Sequence, residues 1–211
     1  MARKSPDLHR RGPRLEPKKT FYLFCEGKNT EPDYFRALKR KIRDPLIKIV
    51  DKPAAGVPMT IANLSVEQAN AIGKGAKRKR VKQSYQEADE VWAVFDRDEH
   101  PHIQEAMQLC DSNNVGIAFS DPCFELWLIL HIHDFNRACN RHDIQRALSD
   151  VLEGYERGRG KTADFSVLLE DIENAENRAE VLLDRRHEEG GDTNPSTTVF
   201  KLTRRIRAAA K

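Results

Sequence analysis

Two kinds of hydrophobic pattern alternate along the first two thirds of this chain. Short runs that are apolar nearly throughout, Phe21-Tyr22-Leu23-Phe24-Cys25, Leu46-Ile47-Lys48-Ile49-Val50, Val91-Trp92-Ala93-Val94-Phe95 and Val115-Gly116-Ile117-Ala118-Phe119, predict strands covered on both faces. Between them, apolar residues recur at helical spacing. Tyr34, Phe35, Leu38 and Ile42 predict a helix over 31–43, with Thr30 and Asp33 resembling a capping box; Ile61, Leu64, Ala69 and Ile72 mark a second over 60–72; Ile103, Ala106, Met107 and Cys110 mark a third. Strand and helix in strict alternation predict an α/β fold: a parallel four-stranded sheet with right-handed crossovers, flanked by helices.

The pattern then changes. Asp121-Pro122, read as an N-cap and a first-turn proline, precedes Cys123-Phe124-Glu125-Leu126-Trp127-Leu128-Ile129-Leu130-His131-Ile132, a helix apolar almost all round that must be buried. Segments 141–152, 163–187 and 196–209 read as amphipathic or highly charged helices. Residues 1–19, with Pro6, Pro13 and Pro17 among charges and no periodicity, read as a disordered basic arm. The expected organisation is therefore the arm, an α/β domain over 20–135, and a helical extension over 136–211 lying on the same core.

At 211 residues and a net charge of +3, overall charge does not by itself indicate a nucleic-acid binder. Its distribution says more. Arg3, Lys4, Arg10, Arg11, Arg14, Lys18 and Lys19 crowd the N-terminus, and 74–82 holds Lys74, Lys77, Arg78, Lys79, Arg80 and Lys82 with no acid. Both are candidate phosphate-contacting segments, Lys77, Arg78, Lys79 and Arg80 above all; the alternative is a solvated tail and a solvated loop. Cys25, Cys110, Cys123 and Cys139 form no Cys-x-x-Cys pair and read as reduced core residues. No apolar run reaches the roughly 18–20 residues that span a bilayer, and no apolar segment follows the basic N-terminus as in a signal peptide, so a cytoplasmic protein is expected.

Candidate chemistry sits at the strand ends. Glu26-Gly27 follows the first strand, and Asp96 and Asp98 follow the third, two apart, so that both point to one side if the chain stays extended. In open α/β sheets such positions converge on one edge. Three carboxylates there would raise one another's pKa unless a cation offset them, and oxygen ligands suit Mg²⁺ or Mn²⁺. Gly27 would let a phosphate or the turning chain approach closely. Glu125 is the only formal charge between Asp121 and Asp134, on a helix fit for the core, and an unpaired buried carboxylate is costly. A metal, an arginine or its own helix N-terminus would each answer that need. His131 and His133, two apart on a helix, read as packing or helix-end residues.

These residues carry a resemblance. Cys25-Glu26-Gly27-x-x-Thr30-Glu31-x-x-Tyr34-Phe35, Phe95-Asp96-Arg97-Asp98, Pro122-Cys123-Phe124-Glu125-Leu126-Trp127-Leu128-x-x-His131 and Asn194-Pro195-Ser196-Thr197-Thr198-Val199 resemble the RloB-like proteins, a branch of the Toprim superfamily, over roughly 20–203. Where the family pattern leads one to expect Asn before the proline of the third motif, Asp121 stands. The resemblance implies a Toprim-like, Rossmann-like catalytic domain in which Glu26 acts in acid/base chemistry and also belongs to the metal site, while Asp96 and Asp98 hold Mg²⁺ (or Mn²⁺). Glu125 matches the RloB-like motif rather than the general Toprim one. It further implies the effector half of an antiphage system whose other half is an ATPase.

The expected function is thus a metal-dependent nuclease cleaving DNA or RNA, with Glu26, Asp96, Asp98 and Glu125 as catalytic residues and water as nucleophile. A topoisomerase route would need strand-passage domains for which the chain is too short, and a primase route a zinc module that the cysteines do not offer. The rival from another class is a non-catalytic Toprim-like subunit that binds nucleic acid or serves as a scaffold. An Asp-x-Asp phosphatase is a weaker third, leaving Glu26 and Glu125 without roles. A homo-oligomer is compatible with the sequence.

Overall fold

The computed structural model describes residues 19–45, 47–53, 56–78, 88–97, 102–156, 163–190 and 193–210. Residues 1–18 of the expected arm, Asp98 and the core of the basic run lie outside them; Lys19, expected as the end of the arm, is instead the buried first residue of a strand. Strands β1 (Lys19–Cys25), β2 (Ile47–Pro53), β3 (Glu90–Asp96) and β4 (Gly116–Asp121) alternate with helices α1 (Thr30–Ile42), α2 (Pro58–Arg78) and α3 (Ile103–Asp111). Next come α4 (Glu125–Ile132), α5 (Arg141–Val151), a 3-10 turn (Leu168–Asp171), α6 (Ile172–Glu189), strand β5 (Ser196–Thr197) and α7 (Val199–Ala209).

The sheet has five strands in the order β2-β1-β3-β4-β5, not the four expected. The first four are parallel and β5 is antiparallel to β4, pairing Ser120 with Thr197 and Asp121 with Ser196. The reading of 196–209 as helix is corrected at its start. The open edge of β4 has backbone groups to satisfy, and the segment 196–198 satisfies them: Thr198 N–H donates to Phe119 O (2.8 Å), the Phe119 N–H to Thr198 Oγ1 (2.9 Å), and the Ser120 and Thr197 hydroxyls meet at 2.9 Å. Likewise 163–187 is not one helix; the 3-10 turn precedes α6.

The period-two alternation of strand side chains divides the core. Phe21, Leu23 and Cys25 of β1, with Trp92 and Val94 of β3, face a large cluster shared with α1, α4, α5, α6 and α7. Phe24, Val91, Ala93 and Phe95 face a smaller one with α2 and α3. Covered on both sides, these strands have no polar face, which is why their sequences are apolar throughout. Gly116 permits the close approach of Trp92, since a Cβ there would stand 2.4 Å from the indole ring.

The first cluster surrounds α4, whose residues Glu125 to His131 are all buried. Tyr34 makes edge-on or tilted contacts with Phe124, Trp127, His131 and Phe165. His131 is a core residue: Nδ1 lies 2.7 Å from the Leu168 carbonyl, which can only accept, so Nδ1 carries the proton and Nε2 accepts from the Tyr34 hydroxyl at 3.1 Å. Burial holds its pKa down to about 4.

Both predicted caps are replaced. Asp121 ends β4 instead of capping α4; its carboxylate, 1 % exposed, accepts from Arg97 Nη1 (2.7 Å) and Thr193 Oγ1 (2.6 Å). Asn29, not Thr30, precedes α1, without a side-chain cap, and Asp33 pairs with Arg36 at 2.7 Å. Helix α4 begins only at Glu125, with Phe124 before it, so Asp121-Pro122 lies ahead of its first turn, and Thr30 is already the first residue of α1. Among the described residues no helix is long and apolar enough to cross a membrane.

Candidate active site

Sheet register sets the site. Cys25 of β1 pairs with Val94 of β3, so the next residue on β1, Glu26, comes level with the end of β3. The Glu26 N–H extends the ladder to Val94 O (3.0 Å), and its side-chain Oε2 accepts from the Asp96 N–H at 3.3 Å. Asp96 has the parity of Trp92 and Val94, so it faces the layer that holds α4 and α5. From that layer α4 brings Glu125 at its first residue and α5 brings Arg141. Glu26, Glu31, Asp96, Glu125, Phe124 and Arg141, with the loop 27–30, line one cavity of about 340 Å³.

Four carboxylates thus share a site in which three are buried and Glu26 is half-buried. Asp96 is 7 % exposed, Glu31 5 % and Glu125 2 %. Burial pushes the Asp96 carboxyl well above its ordinary range; the facing charges of Glu31, Glu125 and Glu26 add to the rise and Arg141 opposes it. Glu31 is raised to about 7, first by burial and then by Glu125 and Glu26, against the hydrogen bond it accepts from Gly27. That bond, from the Gly27 N–H to Glu31 Oε1, is 3.0 Å long. A Cβ on Gly27 would lie 2.0 Å from Glu31 Oε2, so the close approach that glycine permits here is to this carboxylate.

Two neutral donors reach Glu125. The Tyr155 hydroxyl donates to Oε1 at 2.7 Å and Gln145 Nε2 to the same oxygen at 3.3 Å. Burial, then Glu125, raises the Tyr155 phenol far above its usual value, so it remains a donor at any working pH. Burial likewise raises the Cys25 and Cys123 thiols.

Of the residues expected from the sequence, the structure brings Glu26, Asp96 and Glu125 together; Asp98 lies outside the described residues. Lys79 and Arg80 do too, as do the side chains of Lys77 and Arg78, whose backbone closes α2. Among the described residues no group of three or more His, Cys, Asp or Glu stands in metal-binding geometry. The donor set nevertheless suits a hard divalent cation: every candidate is a carboxylate oxygen, and Glu31, Glu125 and Glu26 face Asp96 closely enough to add to the rise that burial causes.

Glu31 and Arg141 are cavity residues that sequence reasoning passed over. For Glu31 a signal existed: 31, 34, 35 and 38 form one helical face, and its other members, Tyr34, Phe35 and Leu38, are core residues. A charge on an apolar face was the argument applied to Glu125, but an acid in a first turn also has an ordinary explanation in the helix dipole. Arg141 opens a charged helix and carries no such mark.

Neither a curated protein nor a solved structure matches the chain. The RloB-like protein family matches residues 21–206, and with most of its length inside that match the chain belongs to the RloB-like family.

Proposed function

We propose that this chain is a metal-dependent nuclease with a Toprim-like catalytic domain, the effector of an antiphage system that works with a partner ATPase. The observation that carries the reading is the meeting of Glu26, Glu31, Asp96 and Glu125 in one cavity at the strand ends. A chain that folds four carboxylates into one site, three of them buried, accepts their repulsion, and that cost is relieved when a cation joins them. The partner and the defence role rest on the family resemblance alone.

Glu26 and Asp96, with Asp98, are the residues that would hold Mg²⁺ or Mn²⁺. The ion would supply Lewis-acid polarisation of the scissile phosphate and charge for its developing oxyanion. Glu26, half-buried at the cavity wall, positions a water and takes its proton as the water attacks phosphorus, while the bond from phosphorus to one sugar oxygen breaks and that oxygen leaves with a proton from solvent. Glu125, whose Oε1 accepts from Tyr155 and Gln145, presents a buried acceptor to the same cavity. Phe124 and the buried aromatic cluster behind it keep bulk water from the Glu125 side.

The test is to incubate purified protein with labelled DNA and RNA, transfer RNA included, in Mg²⁺, Mn²⁺ or chelator, with and without any ATPase encoded beside it. Metal-dependent cleavage that Asp96→Ala abolishes is the expected result. Nucleic-acid binding with no cleavage under any of these conditions would instead support the non-catalytic scaffold.

A further inference from the structure

The cavity is not purely acidic: exposed Lys28 of the loop 27–30 lies in its lining, and α5 adds a guanidinium on the buried side. Helix α5 turns Arg141, Ile144, Gln145 and Leu148 to one side, spaced as i, i+3, i+4 and i+7. Ile144, Gln145 and Leu148 are buried, and Gln145 donates to Glu125, so this face lies against the site. The helix start is fixed as well, with the Asn140 side chain accepting from the His142 and Asp143 N–H groups at 2.9 and 3.1 Å. Arg141, at the first position of the helix on that same face, is half-buried among Glu26, Asp96 and Glu125 in the cavity lining.

We propose that Arg141 is the residue that receives the substrate's phosphate, as a fork of N–H donors aimed at a non-bridging oxygen pair; the proposal rests on the nuclease reading above. The chemistry requires such a group. A phosphodiester entering this cavity meets four carboxylates, and a cation held by those carboxylates has part of its charge already offset. A guanidinium supplies both the remaining positive charge and planar donors that match two phosphate oxygens at once. Its placement on a capped, packed helix gives it a defined direction before substrate arrives, which lowers the ordering cost of binding. The competing role is a plain counter-charge for the carboxylates, and the two roles differ in what Lys can replace: a point charge satisfies a counter-charge but not a fork.

The experiment measures anisotropy of short fluorescein-labelled DNA and RNA oligonucleotides on the full chain, with Ca²⁺ in place of Mg²⁺ so that the strand stays intact. Mn²⁺ binding is followed separately by calorimetry. Arg141→Ala is expected to weaken the better-bound oligonucleotide about tenfold or more, and Arg141→Lys to stay weakened by several-fold, with Mn²⁺ affinity not reduced in either. Should Arg141→Ala lose the fold, Arg141→Lys carries the test alone. Wild-type oligonucleotide affinity in Arg141→Ala, or its full recovery in Arg141→Lys, overturns the proposal and makes Arg141 a counter-charge. A wild-type protein that binds no oligonucleotide overturns the nuclease reading itself and this proposal with it.

Discussion

Glu31 is ionised with difficulty because burial withdraws water from its carboxyl while Glu125 and Glu26 face it. Its folded pKa, about 7 against an ordinary 4.5, lies on the raised side. The stability linked to it is therefore fully present below about pH 4.5 and is lost as pH rises through 7. His131 works in the opposite sense: its pKa of about 4 lies below the ordinary 6.5, so its contribution is present above 6.5 and is lost as pH falls through 4. Glu31→Gln keeps an acceptor for the Gly27 N–H and removes the charge. In chelator, the variant should melt above the wild type at pH 8 and match it near pH 5, the acid limb from His131 being common to both. A constant difference across that range would show that Glu31 does not titrate there. Glu26→Gln tests the neighbouring role: turnover should fall on the order of 10²-fold or more while oligonucleotide affinity is kept, if Glu26 takes the proton. At this scale Glu26, Asp96 and Glu125 were legible because each charge abuts an apolar run. Arg141 was not, because a cation at the start of a charged helix is ordinary until the fold shows what the helix faces.

Helices α4 and α5 act as a pair. The first carries a carboxylate into the core, and the second, with the tyrosine just after it, supplies the donors that make its burial tolerable. Tyr155→Phe deletes one hydroxyl and leaves the ring, so its effect reads on the Glu125 carboxylate rather than on packing. Stability should fall by about 1–3 kcal/mol, the cost of a buried acceptor losing its donor. Activity of the folded fraction should fall further, with kcat affected more than KM, because the Glu125 carboxylate loses a donor that holds it in the cavity. A melting-temperature drop with full activity would make the Tyr155 contact purely structural. The apolar runs that foretold β1, β3 and α4 are long enough to stand out as elements buried on every side. The two-residue β5 has no such run, and it exists because the edge of β4 needs partners, a tertiary demand invisible in local sequence.

Across the whole molecule, the segment after α4 is woven into what precedes it. Leu148, Phe165, Leu169, Leu202 and Ile206 belong to the same buried cluster as Phe21, Leu23 and Tyr34. Strand β5 joins the sheet, and Glu176, 3 % exposed, ties α6 to α7 through Arg207 at 2.6 Å and Thr203 at 2.9 Å. Arg97, beside Asp96, reaches to Asp121 and Thr193 together, so the end of β3 is tied to the strand before α4 and to the segment before β5. A site assembled from β1, β3, α1, α4 and α5 then has its geometry only when the C-terminal helices are in place. The chain's two tryptophans make this testable, Trp92 lying in β3 and Trp127 in α4. In Trp92→Phe and Trp127→Phe single variants, the remaining indole reports on one place, and denaturant unfolding followed by fluorescence should give transitions that coincide with one another and with far-ultraviolet circular dichroism once each variant's own stability is allowed for. Summed over a domain of this size, one cooperative unit also predicts a steep denaturant slope from the full buried surface. Two separated transitions would mean that the sheet folds without its C-terminal cover, and the carboxylate cavity would then have to be tested for in the shorter unit.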